Sequence, residues 1–457
     1  MTHEISIQSA VHDVVRYLPR WIGYQVDQRR VPGAQVAVRL DDRIVFSQAF
    51  GHANLDTGEP LTTRHLFRIA SHSKWFTATL VMRLVEAGTL RLDDTLGGLA
   101  PAYADTELSG VTLRELLSHQ AGIIRDGVDT DFWQLDGQFH DAGSLLRLVH
   151  EHGKVFAANE HFKYTNIGFS LIGQILESVT GTPYNELVSR EVCEPLGLTN
   201  TAPEYDDSRA SEYAAGHSRA RIPATERTVL THVDTRAMSP ATGFCSTAED
   251  LTAFGAVHFL GSGQLLSDGS RRRMQRRESI IENGGQTGYY GLGTQIYDIG
   301  DRRVVGHSGG FPGHITRTYV DPEDRIVVSV LTNAVDGPAD PIAVGIVKLI
   351  NLAMSGRKSW QADSPTDRLD SFVGRYDCLW GTTDIVRLGG RLVGIDPSVG
   401  DPASDVDEAT VLDDMTLEGE RRDSYGHSGE PLTFERDENG RAVSFRSAGQ
   451  TSRRVDD

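Results

Sequence analysis

Apolar positions recur at mixed three- and four-residue spacing through Ile5, Val11, Val15, Leu18 and Ile22, which predicts an amphipathic helix over residues 5–29. Pro32-Gly33 ends it, and the period drops to two. Residues 34–40 alternate, Asp41-Asp42 turns, and residues 43–50 alternate again, predicting an antiparallel hairpin. The best-defined helix spans 73–87, with Phe76, Leu80, Val81, Leu84 and Val85 on one face and Gly88 as its stop. Residues 100 to about 230 read as a helical subdomain cut by Gly, Pro and Asp, including helices at 113–118 and 167–179. Beyond 290, alternation returns at 291–296, 302–307, 316–320 and 325–333. Such late strands must pair with the first hairpin or lie exposed. An apolar helix at 341–354 precedes a polar, breaker-rich linker at 355–366. Short strands follow at 372–376, 384–388, 432–436 and 441–446, the last two flanking Asn439-Gly440, where Asn-Gly favours a hairpin turn. Fewer than a hundred residues of short strands predict a small barrel or sandwich. The expected domains are 1–355 and 367–457.

Composition narrows the function. With 457 residues, 39% hydrophobic and 24% charged, the chain is globular rather than disordered. Its net charge of -18 repels nucleic acid and anionic membranes, so neither is an expected partner. No window approaches the ~20 apolar residues that span a bilayer, and the N-terminus lacks a basic start and apolar run, so a cytoplasmic protein is expected. Cys193, Cys245 and Cys378 are odd in number and far apart, which suits a reducing compartment. Among sixteen histidines, His150-Glu-His152 has two-residue spacing unsuited to one helix face. His-Glu-x-x-His and a Walker-type phosphate loop are both missing. No metal and no cofactor are expected.

Only five lysines occur, so Lys74 inside an apolar helix calls for an explanation. In Ser71-His-Ser-Lys74 the serine and lysine stand one helical turn apart, placing an amine beside a hydroxyl at a helix start. Partial burial makes the neutral amine accessible as a base, and the helix N-terminus favours an oxyanion. The structural alternative is an N-cap serine with a solvated lysine; Ser355-Gly-Arg-Lys358 matches the same pattern in the linker. Tyr164-Thr-Asn166 brings a phenol and a carboxamide to one side just before a helix. The phenol is a base only if cations depress its pKa from ~10; the alternative is an Asx cap. Gly306-His307-Ser308-Gly309-Gly310 follows a strand, where glycines admit a substrate backbone and His307 has a proton to donate; Gly426-His427-Ser428-Gly429 repeats the tetrapeptide near the C-terminus.

Together, in the order Ser71-x-x-Lys74, Tyr164-x-Asn166 and His307-x-Gly309, these motifs resemble the penicillin-binding-protein and class C β-lactamase superfamily of serine hydrolases. Flanks agree at Leu66-Phe-Arg-Ile-Ala-Ser, Leu116-Leu-Ser-His119-Gln-Ala-Gly, Ser239-Pro-Ala-Thr-Gly-Phe and Gly309-Gly-Phe-Pro-Gly-His, and the likeness runs from about residue 31 to 333. The resemblance implies an α/β fold: an antiparallel sheet flanked by helices, plus an all-helical lobe with the site in the groove between them. The C-terminal segment resembles the lipocalin-like β-barrel appended to such hydrolases. By the same resemblance Ser71 is the nucleophile that forms an acyl-enzyme, and Lys74 and Tyr164 are the proton-transfer pair, with the choice of base between them open. Asn166 orients the substrate, and the N–H groups of Ser71 and Gly310 form the oxyanion hole. This sequence departs from the β-lactamases and peptidases in having His307 where they carry lysine, which favours esterase-like, D-amino-acid amide or acyl-transfer chemistry.

The expected substrate is a small-molecule or short-peptide ester or amide. Acidic residues between 125 and 160, Asp126 among them, beside Phe132 and Trp133, suit a cationic or polar acyl donor with an aromatic part, though a solvated acidic face accounts for them equally. The alternatives are an acyltransferase or peptide cyclase on the same scaffold and a silent binding protein. The C-terminal domain is expected to wall the groove or to mediate a homo-oligomer.

Overall fold

The predicted hairpin is present as β1 (Gly33–Leu40) and β2 (Arg43–Asn54), with Asp41 at φ +54° in the turn between them. The computed structural model describes residues 5–221, 226–283, 286–355, 366–420 and 429–455. Its chain divides into two compact units, Val31–Asp340 and Met1–Arg30 with Pro341–Asp457.

In the first unit β1 finds its second partner almost three hundred residues on, in β9 (Ile326–Thr332), with Val36 opposite Val330. Between them in sequence lie β3 (Glu59–Pro60), β4 (Ser279–Asn283), β5 (Gln286–Tyr290), β6 (Gln295–Ile299), β7 (Arg302–Phe311) and β8 (His314–Asp321). The nine strands form one antiparallel sheet in the order β3-β2-β1-β9-β8-β7-β6-β5-β4. The pair β4 and β5 has no counterpart in the sequence reading, since Ser279–Asn283 and Gln286–Tyr290 lack a sustained alternation of apolar residues.

The strong helix forms as α2 (Ser73–Glu86), with Gly88 past its end at φ +75°. The sequence predicted one apolar face. Instead every residue from Ser73 to Met82 is buried, so α2 is the central helix of the unit. Phe76 stacks on Phe254 and Phe244 at ring distances of 3.7 and 4.6 Å. Phe254 belongs to a helix (Ala248–Ala256) that packs on β1 and β9. The helical subdomain holds α3 (Asn166–Thr180), the segment Ala142–His152 and several short turns. His150 and His152 lie exposed at its end, and no cluster of metal-ligating side chains occurs among the described residues.

In the second unit eight strands, from Gly374–Cys378 to Gln450–Arg454, close a barrel whose first and last strands pair through Tyr376 and Arg454. Phe372, Tyr376, Leu392, Leu417, Phe434 and Phe445 fill it. The first helix, α1 (Ile7–Gln28), belongs to this unit. Gln25 Nε2 donates to Pro397 O at 2.6 Å, Tyr17 OH to Asp384 at 2.8 Å, and Asp13 accepts from Gly389 N–H at 3.0 Å. The boundaries read from the sequence, 1–355 and 367–457, therefore differ from this division for α1 and for residues 341–355. Linker residues 356–365, with Lys358, and the second glycine-histidine motif at Gly426, His427 and Ser428 lie outside the described residues. The three cysteines are unbridged, and among the described residues no helix is long and apolar enough to cross a membrane.

Candidate active site

The chain entering Ser71 is held from both sides. Phe67–Arg68 pairs with Cys245–Ser246, and Ile69 N–H donates to Phe244 O at 2.9 Å. Ser73 Oγ donates to Ala70 O at 2.5 Å and accepts from Phe244 N–H at 3.0 Å. Ala70 takes φ +46°, a left-handed conformation that costs a non-glycine residue about 1–2 kcal/mol and is sustained here by its neighbours' hydrogen bonds. A tight turn over Ala70–His72 results, and α2 continues from it. Ser71 therefore is not an N-cap, and its hydroxyl is available to the groove.

Three of the sequence-selected side chains meet there. Lys74 Nζ lies 3.2 Å from Ser71 Oγ, and Tyr164 OH donates to the same oxygen at 2.8 Å. Lys74, fully buried, also donates to Asn166 Oδ1 at 2.6 Å and to Ala241 O at 2.8 Å. Asn166 is not the Asx cap of the helix it opens. Thr165 Oγ1 takes that task by accepting from Gly168 N–H at 2.9 Å, which leaves the carboxamide to Lys74 and to Asp126.

The strand β7 packs against the Ala70–His72 turn. Gly309 makes this approach feasible: a Cβ there would stand 2.1 Å from Ile69 O. Gly310, the next residue, is exposed. His307 is buried on the same strand but bonds neither Tyr164 nor Ser71. Its Nδ1–H donates to Ser308 O at 2.7 Å, so Nε2 accepts from Tyr290 OH at 2.9 Å. Sequence reasoning missed Tyr290 as the partner of His307; its stretch Tyr289-Tyr290-Gly291 carries no distinguishing signal. It quoted His119 only as a flank. That ring lies 4.3 Å from Tyr164 and 4.6 Å from Tyr290, takes φ +57°, and accepts from Thr165 N–H at 3.2 Å.

Burial governs the electrostatics. It pulls Lys74 well below the usual lysine range, and Arg125 adds to the effect while Asp126 opposes it. It pushes Tyr164 up, above the ordinary phenol, against the hydrogen bond to Ser71 and the charge of Arg125. The depression of the phenol required for it to act as the resting base is thus reversed. His307 and His119 are pulled far below the usual imidazole value by burial and by Lys74, and His72 to about 3, so all three are neutral.

Residues 18–349 match the beta-lactamase family. The chain belongs to that family. A D-aminopeptidase of Brucella anthropi is 27% identical over 374 residues, 79% of this chain; the matched stretch spans only 65% of that relative's length. Penicillin-binding protein 4 of Amycolatopsis lactamdurans is 29% identical over 326 residues, 67% of this chain and 82% of that protein. Among solved structures, the octameric penicillin-binding protein homologue from Pyrococcus abyssi aligns with a TM-score of 0.64 at 22% identity, over 96% of this chain and 98% of that one. That likeness bears on the fold, an antiparallel sheet flanked by helices with a closed C-terminal barrel, as the sequence resemblance implied. Within this beta-lactamase-family framework, one wall near the site is the stretch 125–140. Arg125 Nε lies 3.0 Å from Asp126, and Trp133 and Phe139 set their rings 6.0 and 6.2 Å from that of Phe311, the residue after Gly310.

Proposed function

We propose that the protein is a serine hydrolase that forms an acyl-enzyme on Ser71 and cleaves an ester or amide. The observation that carries this reading is the convergence on one hydroxyl of a buried amine at 3.2 Å and a phenol at 2.8 Å. Of the three acceptors around Lys74 Nζ, Asn166 Oδ1 and Ala241 O only accept. When the amine is neutral its two N–H bonds go to those oxygens, and its lone pair faces Ser71 Oγ. Lys74 takes the serine proton, and Ser71 Oγ bonds the carbonyl carbon of the substrate. The oxyanion that forms is held by the N–H groups of Ser71 and Gly310. Tyr164, kept protonated by burial, hands its proton to the departing alcohol or amine and takes up the one held by Lys74; water then adds to the acyl carbonyl and releases Ser71 with its hydroxyl restored. His307 contributes a neutral imidazole committed to Ser308 and Tyr290, so a substrate carboxylate meets no permanent cation at that position.

On substrate, the D-aminopeptidase relative and the exposed acidic residues Asp129, Asp131 and Asp136 support a D-amino-acid amide, ester or short peptide with a free amino group. A cytoplasmic location agrees with three unbridged cysteines, and homo-oligomer formation with the octameric relative. The decisive experiment is intact-mass analysis after a serine-reactive fluorophosphonate. One adduct on the wild type and none on Ser71→Ala is expected; no adduct, or one that persists in Ser71→Ala, removes the hydrolase reading. A panel of p-nitrophenyl esters, D- and L-amino-acid anilides and a chromogenic cephalosporin then ranks substrates, with the D-anilides and esters expected above the cephalosporin.

A further inference from the structure

Behind Asn166 stands a group that the motifs do not contain. Asp126 is buried, with 6% of its surface exposed, and its Oδ1 accepts from Asn166 Nδ2 at 2.5 Å. Its other oxygen lies 3.0 Å from Arg125 Nε. A carboxylate only accepts, so the amide of Asn166 has one orientation open to it: Nδ2 toward Asp126 and Oδ1 toward Lys74. The orientation matters for the reaction. If the amide were turned over, its Nδ2–H would point at Lys74 and occupy the lone pair of the neutral amine, which would then be withheld from Ser71 Oγ.

We infer that Asp126 is a positioning residue for acylation, locking the Asn166 amide so that the lone pair of Lys74 is directed at Ser71. The inference rests on the serine-hydrolase reading above. Asp126 also acts through its charge. The charged and titratable groups that face Lys74 are His119, Tyr164, Arg125 and Asp126 from the helical lobe, and His307 from the sheet. Of these, Asp126 is the carboxylate. It raises the affinity of Lys74 for a proton, so removing it makes the amine easier to deprotonate.

The test follows the rate of fluorophosphonate labelling of Ser71 against pH in the full-length wild type, Asp126→Asn and Asp126→Ala, with thermal melting to establish folding. Asp126→Ala loses lock and charge and is expected to label about tenfold to a hundredfold more slowly at its plateau. Asp126→Asn is isosteric, retains an acceptor and loses the charge, so it decides the matter if the alanine variant does not fold. Its acid limb is expected at lower pH than the wild type's, retaining about threefold more of its own plateau rate on the acid side. A residue with a merely structural role would not move that limb. Folded Asp126→Asn with the wild-type limb and plateau overturns the inference while leaving the hydrolase reading intact. A wild type that takes no label on Ser71 overturns both.

Discussion

Two cations sit in the two units under opposite regimes. In the barrel unit Arg375 grips Asp384 with two hydrogen bonds of 2.8 Å, and Tyr17 of α1 donates a third to the same fully buried carboxylate. Charge is met by charge in fork geometry, and the result joins helix to barrel. Lys74 is buried as deeply as Asp384, yet among the described residues it forms no ion pair. Its acceptors are a hydroxyl, an amide and a backbone carbonyl. Burial without direct compensation loosens its proton, and a loosely held proton is what a base at neutral pH requires. The comparison teaches that the same physics fastens two elements where the charge is paired and leaves a proton loosely held where the charge meets only neutral acceptors.

Substitutions on either side should separate the two regimes. The largest effect is expected for Lys74→Met, which should slow turnover and fluorophosphonate labelling by about a thousandfold, or more, without lowering the melting temperature, because a buried amine is replaced by an apolar chain of similar length. Asp384→Ala should do the reverse. It takes the buried carboxylate away from Arg375 and Tyr17 and is expected to cost about 3–5 kcal/mol in urea unfolding, while folded protein labels at the wild-type rate. Next comes Tyr164→Phe, which removes the phenol proton but keeps the ring beside His119; kcat should fall about ten- to a hundredfold with KM little changed.

pH should expose the buried groups directly. His72, His119, His258, His307 and His314 all bind protons less readily when folded than the ordinary imidazole does. The unfolded chain therefore takes up protons that the folded one refuses. The histidines' contribution to stability is constant above the unfolded value of 6.5 and falls as pH drops below it, by up to about 1.4 kcal/mol per pH unit for each of them. Denaturant melts across this range should show the decline, and a flat profile would mean that these rings are protonated without penalty. The smallest effect concerns Lys74 itself. Its folded affinity for a proton lies below the unfolded one, so wild-type stability rises with pH between the two, and any gain in melting temperature of Lys74→Met should be greatest at low pH and shrink toward pH 10.5.

Much of this was legible in the chain because the signals are local. Alternation over 34–40 and 43–50 marks the hairpin whatever it pairs with, and the apolar run after Ser73 marks a helix. The site was harder. Ser71 and Lys74 are related by a helical turn and Tyr164 and Asn166 by two residues of extended chain, so each pair is visible alone. That the pairs meet was carried by the resemblance and not by spacing. Asp126 was noticed only as one acidic residue among several, since nothing in Arg125-Asp126-Gly127 tells a solvated carboxylate from one buried against Asn166.

By itself the sequence determined the periods of the strands and helices, the turn at Asp41-Asp42 and the identities of the groups available for chemistry, because these depend on residues a few positions apart. Tertiary structure alone decided that β1 lies beside β9, that α1 joins the barrel unit, that His307 bonds Tyr290 rather than Tyr164, and that Lys74 forms no ion pair among the described residues. Each of those outcomes turns on which distant segment excludes water from a group and which partner it finds there, and neither burial nor hydrogen-bond partner is a property of the local chain.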